Sequence, residues 1–451
     1  MERQDSLAQQ EVKFQEALRF WVKLGFINFG GPAGQIAIMH SELVDKRRWI
    51  SEEQYLRALN FCMILPGPEA KQLAIYVGWR LHGLWGGVVA GSFFVIPSIS
   101  VIMSLSWLAV AHADAPLIAG LFYGIQPVVI AIVAEAVIRI GRRTLHHPAL
   151  LLFAGGAFIA IYFLSVPFPL VIATAALSAL ALQRRWPHVF RPQGHAGAAA
   201  AETQDPSEPA SFDKLRATPA AIYPPITRAL KFASVYLVLW ALPVGGLWLW
   251  RGGSDVLVKE ALFFTQAAFI TFGGAYAVLS YISDVAVNSY GWLDARQMVQ
   301  GLGLAESTPG PLIMVTQYVG FLGAWNFHGD LPPLLSGVLG ALVTTYVTFL
   351  PSFFFIFIGA PYIEALAEAR ALQAALVGVT SAVVGVILNL AVFFGSRVLL
   401  PPGGTADIFA LAVAVASFVV ILRFHLPIHF LVPAGGVVGM AWSLVVGSVG
   451  V

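Results

Sequence analysis

The sequence FINFGG at residues 26–31 returns as FITFGG at residues 269–274, 243 residues later. Further matches follow in the same order in both halves of the chain. They are Trp49 with Trp292, LPGP at 65–68 with TPGP at 308–311, YVG at 76–78 with YVG at 318–320, and VIPS at 95–98 with FLPS at 349–352. Five ordered matches indicate that the second half duplicates the first, so that one fold is built twice.

The composition is that of a membrane protein. Charged residues are 11% of the 451 residues, whereas an average soluble protein has about 25%, and the mean hydropathy is +0.77. So few charges exclude a soluble enzyme, a nucleic-acid-binding protein and a disordered scaffold. The single cysteine, Cys62, excludes an intramolecular disulfide and a cysteine-built metal site. The sequence has no ATP-binding or metal-binding motif, so we predict a protein that is not an enzyme, has no cofactor or metal, and has the lipid bilayer as its partner.

Long apolar runs predict the fold class. A helix needs about 20 apolar residues to cross a bilayer, and continuous runs favour an all-α polytopic membrane protein. The predicted segments are 17–40, 58–79, 83–111, 115–138, 149–164 and 166–183 in the first half, 232–250 as a connection, and 260–287, 301–323, 333–359, 370–394, 405–423 and 427–450 in the second. The predicted domains are a first half at 1–183, a cytoplasmic linker at 184–229, a connecting transmembrane helix at 230–251 and a second half at 252–451.

The connecting helix decides how the halves are oriented. Six segments, one connection and six further segments predict two inverted-topology repeats, as in many transporters. Arg139, Arg142 and Arg143 follow the fourth segment, so the positive-inside rule places the N-terminus and the linker in the cytoplasm and the C-terminus in the periplasm. Residues 1–16 lack the pattern of a cleavable signal, and we expect direct insertion into a bacterial inner membrane.

One charged loop conflicts with simple alternation of the segments. Residues 41–57 carry four basic residues but would lie outside the cell. The conflict disappears if 17–40 and 58–79 are re-entrant hairpins, each made of two half-helices with glycine and proline at the break. Kinked full spans are the alternative, as is an amphipathic surface helix at 41–57, and the sequence leaves these possibilities open.

The glycine and proline breaks predict a binding site. Broken backbone is tolerated at membrane depth only where it is buried in protein or lines a cavity. A helix that begins at such a break offers unpaired N–H groups and about half a positive charge to an anion. Four such starts meeting at the membrane midplane would offer about two positive charges, which suits a tetrahedral dianion; simple kinks or close helix packing are the alternative. The glycines of the candidate site are Gly30, Gly31, Gly67, Gly273, Gly274 and Gly310.

Polar side chains beside the breaks complete the candidate site. Lys71 adds a positive charge unless it pairs with Glu69 or extends to the membrane surface. The amides and hydroxyls that can donate to an oxyanion are those of Asn28, Gln35, Thr308 and Gln317. Ionisable residues at membrane depth are costly and usually functional. Glu69, Glu135 and Glu306 are therefore candidates for coupling to protons, although each can instead be an acid with a purely structural partner.

Four stretches resemble the chromate transporter family: FGGPAGQIAIMH at 29–40, LPGPEAKQLAIYVGW at 65–79, FGGAYAVLSYI at 272–282 and STPGPLIMVTQYVGF at 307–321. The resemblance covers nearly the whole chain outside the linker, in the long two-domain form. It implies two homologous halves of opposite orientation and efflux of chromate from the bacterial cytoplasm, which gives chromate resistance. Sulfate is the chemically similar oxyanion. Lys71 departs from the uncharged polar residue that the resemblance implies at this position.

Two transport functions are compared on this basis. The first is export of chromate, and the second is import of sulfate or another oxyanion on the same scaffold. A dianion that leaves an inside-negative cell gains about 4.6 kcal/mol per 100 mV. Import would instead need more than two symported protons, so at least about three, to become electrically favourable. The small number of buried acids favours export. A homodimer is compatible with either function.

Overall fold

The computed structural model describes residues 12–190, 226–360, 369–400 and 405–446, and all regular elements in these ranges are helical. The first half contains α1 (Phe14–Ile27), α2 (Gly31–His40), a π-helix (Ser41–Lys46), α3 (Glu52–Ile64), α4 (Glu69–Phe93), α5 (Ile96–Ala111), α6 (Pro116–Thr144), α7 (Pro148–Tyr162) and α8 (Phe168–Leu182). The connecting helix is α9 (Ile226–Arg251). The second half contains α10 (Val256–Phe269), α11 (Ala275–Ser283), a π-helix (Asp284–Ser289), α12 (Ala295–Ser307), a 3₁₀ turn (Leu312–Met314), α13 (Val315–Asn326), α14 (Pro333–Gly359), α15 (Arg370–Leu399), α16 (Ile408–Phe424) and α17 (Ile428–Val446). The all-α fold class is confirmed.

Several of these helices are suited to a bilayer. Within the described residues, six helical stretches are long and apolar enough to cross a membrane. They are Glu69–Ala111, Pro116–Thr144, Ala229–Arg251, Pro333–Gly359, Arg370–Leu399 and Ile428–Val445. Shorter apolar helices, α7, α8 and α16, accompany them. Length and composition therefore make the chain a multi-pass membrane protein.

The order of elements in the second half follows that in the first. In both halves a helix, a glycine break and a second helix lead into a π-helix. The next helix then begins with a capping box, made by Ser51 and Gln54 in the first half and by Asp294 and Gln297 in the second. The predicted segment 17–40 is thus divided into two helices at its glycine pair.

The charged stretch at 41–57 is not one amphipathic helix, so that alternative is wrong. The π-helix ends at Lys46, and Arg48 adopts a left-handed conformation with φ 52°. The hydroxyl of Ser51 then accepts a hydrogen bond from the backbone N–H of Gln54, which starts a new helix. The predicted linker falls mostly on residues 191–225, outside the described residues.

The helix α4 reverses direction within its length. His82 and Gly83 have non-helical backbone angles, and a Cβ built on Gly78 would meet Gly86 and Ala90 on the far side of this kink. The two parts of α4 therefore pack against each other. This agrees with the predicted boundary between the segments 58–79 and 83–111.

The two halves interlock through their long helices. In the first half α6 packs against α16 and α17 of the second, and in the second half α15 packs against α7 and α8 of the first. Small residues allow the close approach, since Gly120 and Gly124 of α6 meet Gly439 and Gly435 of α17 backbone to backbone. Spacings of four between small residues are typical of helix packing in membranes.

Candidate functional site

The glycine breaks of opposite halves are hydrogen-bonded to each other. We call residues 28–31 and 271–274 the first breaks, and residues 65–68 and 308–311 the second breaks. The N–H of Gly67 donates to the carbonyl of Thr271 at 2.9 Å, and the N–H of Gly310 donates to the carbonyl of Asn28 at 2.9 Å.

These two hydrogen bonds are equivalent by sequence. Thr271 and Gly310 stand 243 positions after Asn28 and Gly67, so the same bond is made once in each direction. Reciprocal contacts of this kind are the mark of an interface with two-fold symmetry. The structure therefore brings the four predicted breaks together as two pairs, each with one first break and one second break.

Backbone geometry explains the glycines at the second breaks. The φ angles are 122° at Gly67 and 119° at Gly310, values that residues with side chains rarely adopt. A Cβ on Gly310 would collide with the side chain of Ser98, while a Cβ on Gly67 would lie 2.9 Å from Nε2 of Gln72. The N–H groups of both glycines are occupied by the opposite half, so these two donors are not free for a ligand in this state.

Two serines at equivalent positions lie beside the second breaks. Ser98 donates its hydroxyl to the carbonyl of Pro309 in a short hydrogen bond. Ser352 is near Gly67, but its buried hydroxyl has no partner among the described residues. The carbonyl of Pro66, which would be the equivalent acceptor, is bonded instead to Nε2 of Gln72 at 2.7 Å. The serine hydroxyl beside the break at 308–311 is therefore hydrogen-bonded, whereas the one beside the break at 65–68 remains an unused donor.

A carboxyl group from the opposite half lies beside each first break. A Cβ built on Gly31 would lie 3.9 Å from Oε2 of Glu306, and a Cβ built on Gly274 would lie 3.7 Å from Oε1 of Glu69. The helices α2 and α11 begin at these positions, and a helix N-terminus favours a nearby negative charge. Two of the predicted coupling acids are therefore placed where a bound anion would be attracted.

The predicted coupling acids have different partners. Tyr276 donates its hydroxyl to Oε1 of Glu306 in a short hydrogen bond, and both side chains are buried. Glu135 forms an ion pair with Arg139 at 3.3 Å on α6. This pair is close enough to act electrostatically on Glu306. Glu306 thus has a hydrogen-bond donor and a neighbouring ion pair, whereas Glu69 faces the start of α11.

Lys71 is a buried cation without a carboxylate partner among the described residues. Its side chain is 1% exposed, and Nζ donates to the carbonyl of Phe349 at 2.9 Å. Nζ also lies 4.4 Å from the ring centres of both Phe349 and Phe353, where the ring faces attract a positive charge. The predicted alternatives, a salt bridge with Glu69 or an extended position at the surface, are both wrong. The contacts satisfy part of the charge and leave it one helical turn from the Gly67 break.

The other predicted side chains divide into two groups. Gln35 is at the paired breaks, because its Nε2 donates to the carbonyl of Gly310 at 2.6 Å and lies 3.3 Å from that of Asn28. Gln317 is not, since its amide bonds the carbonyl of Ile99 and the hydroxyl of Thr345.

Two further candidates are also engaged locally. Thr308 returns its hydroxyl to the carbonyl of Leu304. Asn28 reaches the carbonyl of Phe94 through Nδ2, and its buried Oδ1 has no partner among the described residues. A buried amide oxygen without a donor is an open acceptor at the break, because most buried polar atoms are paired.

Sequence reasoning missed some polar groups of this region. Ser98 and Ser352 belong to the matching VIPS and FLPS stretches, so the duplication itself was the signal that could have found them. Glu260, a fully buried acid on α10, has no counterpart in the first half and gave no such signal.

Comparison with known proteins gives a consistent assignment. The family model for the chromate transporter matches residues 15–180 and 258–440, which together span most of the chain. The chain belongs to the chromate transporter family. Both matched ranges contain one first break and one second break, so the family region includes the complete set of paired breaks.

Curated relatives in the family cover most of the chain. A chromate transport protein of Pseudomonas aeruginosa is 31% identical over 81% of this chain and 77% of its own length. A chromate transport protein of Cupriavidus metallidurans is 26% identical over 91% of this chain and 88% of its own. A probable chromate transport protein of Synechococcus elongatus is 27% identical over 85% of each. No solved structure matches the chain.

Proposed function

We propose that this protein exports chromate from the cytoplasm across the bacterial inner membrane and thereby gives chromate resistance. Membership of the chromate transporter family and relatives named as chromate transport proteins support chromate as the substrate. The observation that carries the proposal is Lys71, a buried cation one helical turn from a broken helix, with no carboxylate partner in the part of the chain that the structure describes. Such a charge in a low-dielectric bundle has a strong attraction for an anion.

The anion site of this proposal lies at the paired breaks. The starts of α2, α4 and α11 supply positive helix ends, and Lys71 supplies a full charge. Asn28, Gln35 and Thr308 are the side chains assigned to the oxyanion, and each must exchange its present hydrogen bond to a backbone carbonyl for one to the ligand. The unpartnered hydroxyl of Ser352 adds a donor next to Gly67. Gln317 contributes through α13, because it is bonded away from the breaks.

In this proposal the substrate takes the places that acidic side chains hold beside the first breaks. Glu306 and Glu69 already hold the places near Gly31 and Gly274 where an anion is attracted. An arriving dianion must displace these carboxylates or require that they be neutral, since like charges in a dry site repel strongly. Binding of the oxyanion at one break pair is thereby linked to movement of a side chain that belongs to the opposite half.

The membrane potential supports export as the direction. With the cell interior negative, a dianion gains about 4.6 kcal/mol per 100 mV on leaving. The proposed topology has the N-terminus and the 184–229 linker in the cytoplasm and the C-terminus in the periplasm, with inverted halves. A reporter fused after Val451 should then behave as periplasmic, and one at Gly194 as cytoplasmic; the same location for both would contradict inverted halves.

Flux in proteoliposomes tests the function directly. Chromate and sulfate are supplied separately, and the potential is set by a potassium gradient with valinomycin. We expect saturable chromate flux that is faster when the receiving side is positive, and that sulfate inhibits weakly. Chromate flux that does not respond to the sign of the potential would contradict electrogenic export. A faster flux of sulfate than of chromate would show that sulfate is the preferred substrate.

A further inference from the structure

Glu260 is a buried acid that the proposed anion site does not use. It is 0% exposed and lies between α10, α13 and α14. A Cβ built on Gly323 would lie 2.6 Å from Oε1 of Glu260, and a Cβ built on Gly340 would lie 2.9 Å from Oε2. Neither oxygen has a hydrogen-bond partner among the described residues; the backbone N–H of Ala324 is near but lacks hydrogen-bond geometry. Glycines on two helices thus make room for a carboxyl group that no other described residue hydrogen-bonds.

Few charges surround this carboxyl group. Asp255, at the start of the same helix, acts on it electrostatically and is bonded to Arg251 at 2.9 Å. The other titratable side chains on α10 and on the helices packed against it are Lys259 of α10, Lys231 and Tyr236 of α9, Tyr276 and Tyr281 of α11, Tyr318 of α13 and Tyr346 of α14. No cation among them is bonded to Glu260. A carboxylate in such a place is costly, whereas a carboxylic acid is not, so the site favours a bound proton.

A row of hydroxyls leads from this acid toward the paired breaks. On α14, residues spaced by four follow one another along the helix and turn by about 40° around it at each step, and a set of them is buried: Ser336, Gly340, Thr344, Thr348 and Ser352. The hydroxyls of Ser336, Thr348 and Ser352 have no partner among the described residues. From one end to the other the row spans roughly 24 Å at 1.5 Å per residue.

Two members of this row touch the two places of interest. Gly340 lies against Glu260, and Ser352 lies beside Gly67, where a built Cβ would be 3.5 Å from its hydroxyl oxygen. In the first half the equivalent residues are His82, Gly86, Ala90, Phe94 and Ser98, and Ala17 stands at the position of Glu260. The acid and most of the hydroxyls therefore exist in the second half alone, which duplication of a scaffold does not explain.

We propose that Glu260 binds the proton that the protein exchanges for its oxyanion, and that the α14 hydroxyl row, with water between its members, joins Glu260 to the Gly67 break. This inference rests on the proposed function. A proton from water near Asp255 adds to a carboxylate oxygen of Glu260 and forms the acid. It leaves from the same oxygen to a water in the row, so that no other reactant is needed.

The partners of the other acids favour Glu260 for this role. Glu306 accepts from Tyr276, and Glu135 is paired with Arg139. Glu69 faces the start of α11, which stabilises its charge. Glu260 has none of these, so its protonation is the least opposed by neighbouring groups.

Coupled flux measurements test the proposal. Protein in liposomes is given an outward chromate gradient, and lumenal pH is followed with a trapped dye while chromate is counted. We expect the wild type to move protons opposite to chromate. Glu260→Gln, which keeps the volume, should reduce proton flux at least tenfold while downhill chromate flux continues, and Thr348→Val should reduce proton flux less. Glu53→Gln, on the exposed face of α3, is the matched control and should change neither flux.

The outcomes separate this inference from the proposed function. An unchanged ratio of protons to chromate in Glu260→Gln would overturn the proton site, and so would chromate flux without any proton flux in the wild type. An absence of chromate flux in the wild type would overturn the proposed function itself. In that case infrared difference spectra of wild type and Glu260→Gln in detergent still test the proton site. A protonated carboxyl band must be present in the wild type and lost in the variant. If Glu260→Gln does not fold, the same band in wild type labelled at glutamate decides.

Discussion

The turn after the π-helix is built in two different ways in the two halves. In the first half the guanidinium of Arg47 lies 5.0 Å from the ring centres of both Phe20 and Trp49. In the second half Tyr290 takes the position of Arg47 and stacks on Trp292 at 4.5 Å between ring centres. The same packing is thus preserved while its charge is exchanged for an aromatic ring.

This difference shows which features the duplication constrains. Both halves place a flat group against the repeated tryptophan, a guanidinium in the first half and a phenol in the second. The charge differs between the two halves. In the first half Arg47 also reaches Glu42 at 3.4 Å, and Lys46 reaches the same acid at 3.0 Å. The equivalent positions in the second half, Val285 and Ser289, carry no charge.

The second breaks also combine a shared backbone arrangement with different side chains. Glu69 and Lys71 follow the break in the first half, whereas the apolar turn Leu312–Met314 follows it in the second. In the second half the polar residues are Glu306, before the break, and Thr308, its first residue. A two-fold backbone arrangement thereby supports a site whose side chains are asymmetric.

The largest effect should come from substitution of a second-break glycine. Gly310→Ala places a side chain at a φ of 119° and drives it into Ser98. We expect a loss of stability of about 2–4 kcal/mol from strain and overpacking together. Gly67→Ala carries similar strain but its one close contact, at 2.9 Å, is with the end of the Gln72 side chain, which can shift more easily, so about 1–3 kcal/mol is expected. The thermal midpoints of the purified variants in detergent measure the difference.

The control for this comparison is Gly155→Ala on α7. No atom lies within 4 Å of its built Cβ, so its thermal midpoint should be unchanged or slightly higher. Ser98→Gly should restore part of the stability of Gly310→Ala, because it removes the colliding side chain. A larger loss for Gly67→Ala than for Gly310→Ala would contradict the asymmetric packing of the two breaks.

A smaller effect, on substrate affinity, is expected for Lys71→Met. Methionine is the third residue after the break in the second half, at Met314, so the variant makes the halves alike. Loss of a buried charge should weaken chromate binding about tenfold, or ~1.4 kcal/mol, while the thermal midpoint of the empty protein stays level or rises. Calorimetric titration with chromate, and sulfate as a second ligand, measures the change.

Lys23→Met is the control for the loss of a positive charge. The side chain of Lys23 is 54% exposed and lies 3.8 Å from Glu42, so this variant should bind chromate as the wild type does. Equal losses of affinity in both variants would point to general electrostatic attraction, and an undiminished affinity in Lys71→Met would remove the buried cation from the site.

The next effect concerns the turn after the π-helix and is smaller again. Arg47→Ala removes two cation–π contacts and two ion pairs, with Glu16 and Glu42. Tyr290→Ala removes a ring stack, and each substitution should cost about 1 kcal/mol. Because salt screens exposed charges, the cost of Arg47→Ala should fall in high salt, whereas that of Tyr290→Ala should not. Thermal midpoints at two salt concentrations give the answer. Arg47→Tyr, which copies the second half, should recover most of the loss.

Much of this fold was accessible from the sequence because its signals are local. Apolar runs predicted the helices, and glycine and proline predicted the breaks at Gly30-Gly31 and Gly67, since few other residues tolerate these backbone angles. The reversal of α4 at His82 and Gly83 also followed the predicted segment boundary.

The partners of the breaks were not accessible in this way. Sequence symmetry suggested that the breaks face each other, but it does not say that Gly67 bonds Thr271 and Gly310 bonds Asn28. Pairing between distant segments depends on how α6 and α15 interlock, and no local pattern records it. Glu260 was missed for a different reason. It has no counterpart in the first half, so the repeat does not mark it, and its importance is visible only when its buried surroundings are known.

The smallest effect is expected at the loop that joins α13 to α14. Arg251 reaches Asp330 at 2.6 Å and Asp255 at 2.9 Å, and the first half has only the kink at His82 and Gly83 in this place. The hydrogen bond from Arg251 holds the pKa of Asp330 below its usual value. A group with a depressed folded pKa stabilises the protein above its unfolded pKa, near 3.9, and loses that contribution as the pH falls through the folded value.

Asp330→Asn should therefore lower the thermal midpoint slightly at pH 7 and not at all in strong acid. Since Asp330 is fully exposed and Asp255 remains to pair with Arg251, the shift at neutral pH should be near the limit of measurement and should vanish in high salt. Asp255→Ala, which also removes a helix cap, should shift the midpoint more, and the reverse order would show that the loop rather than the helix start holds Arg251.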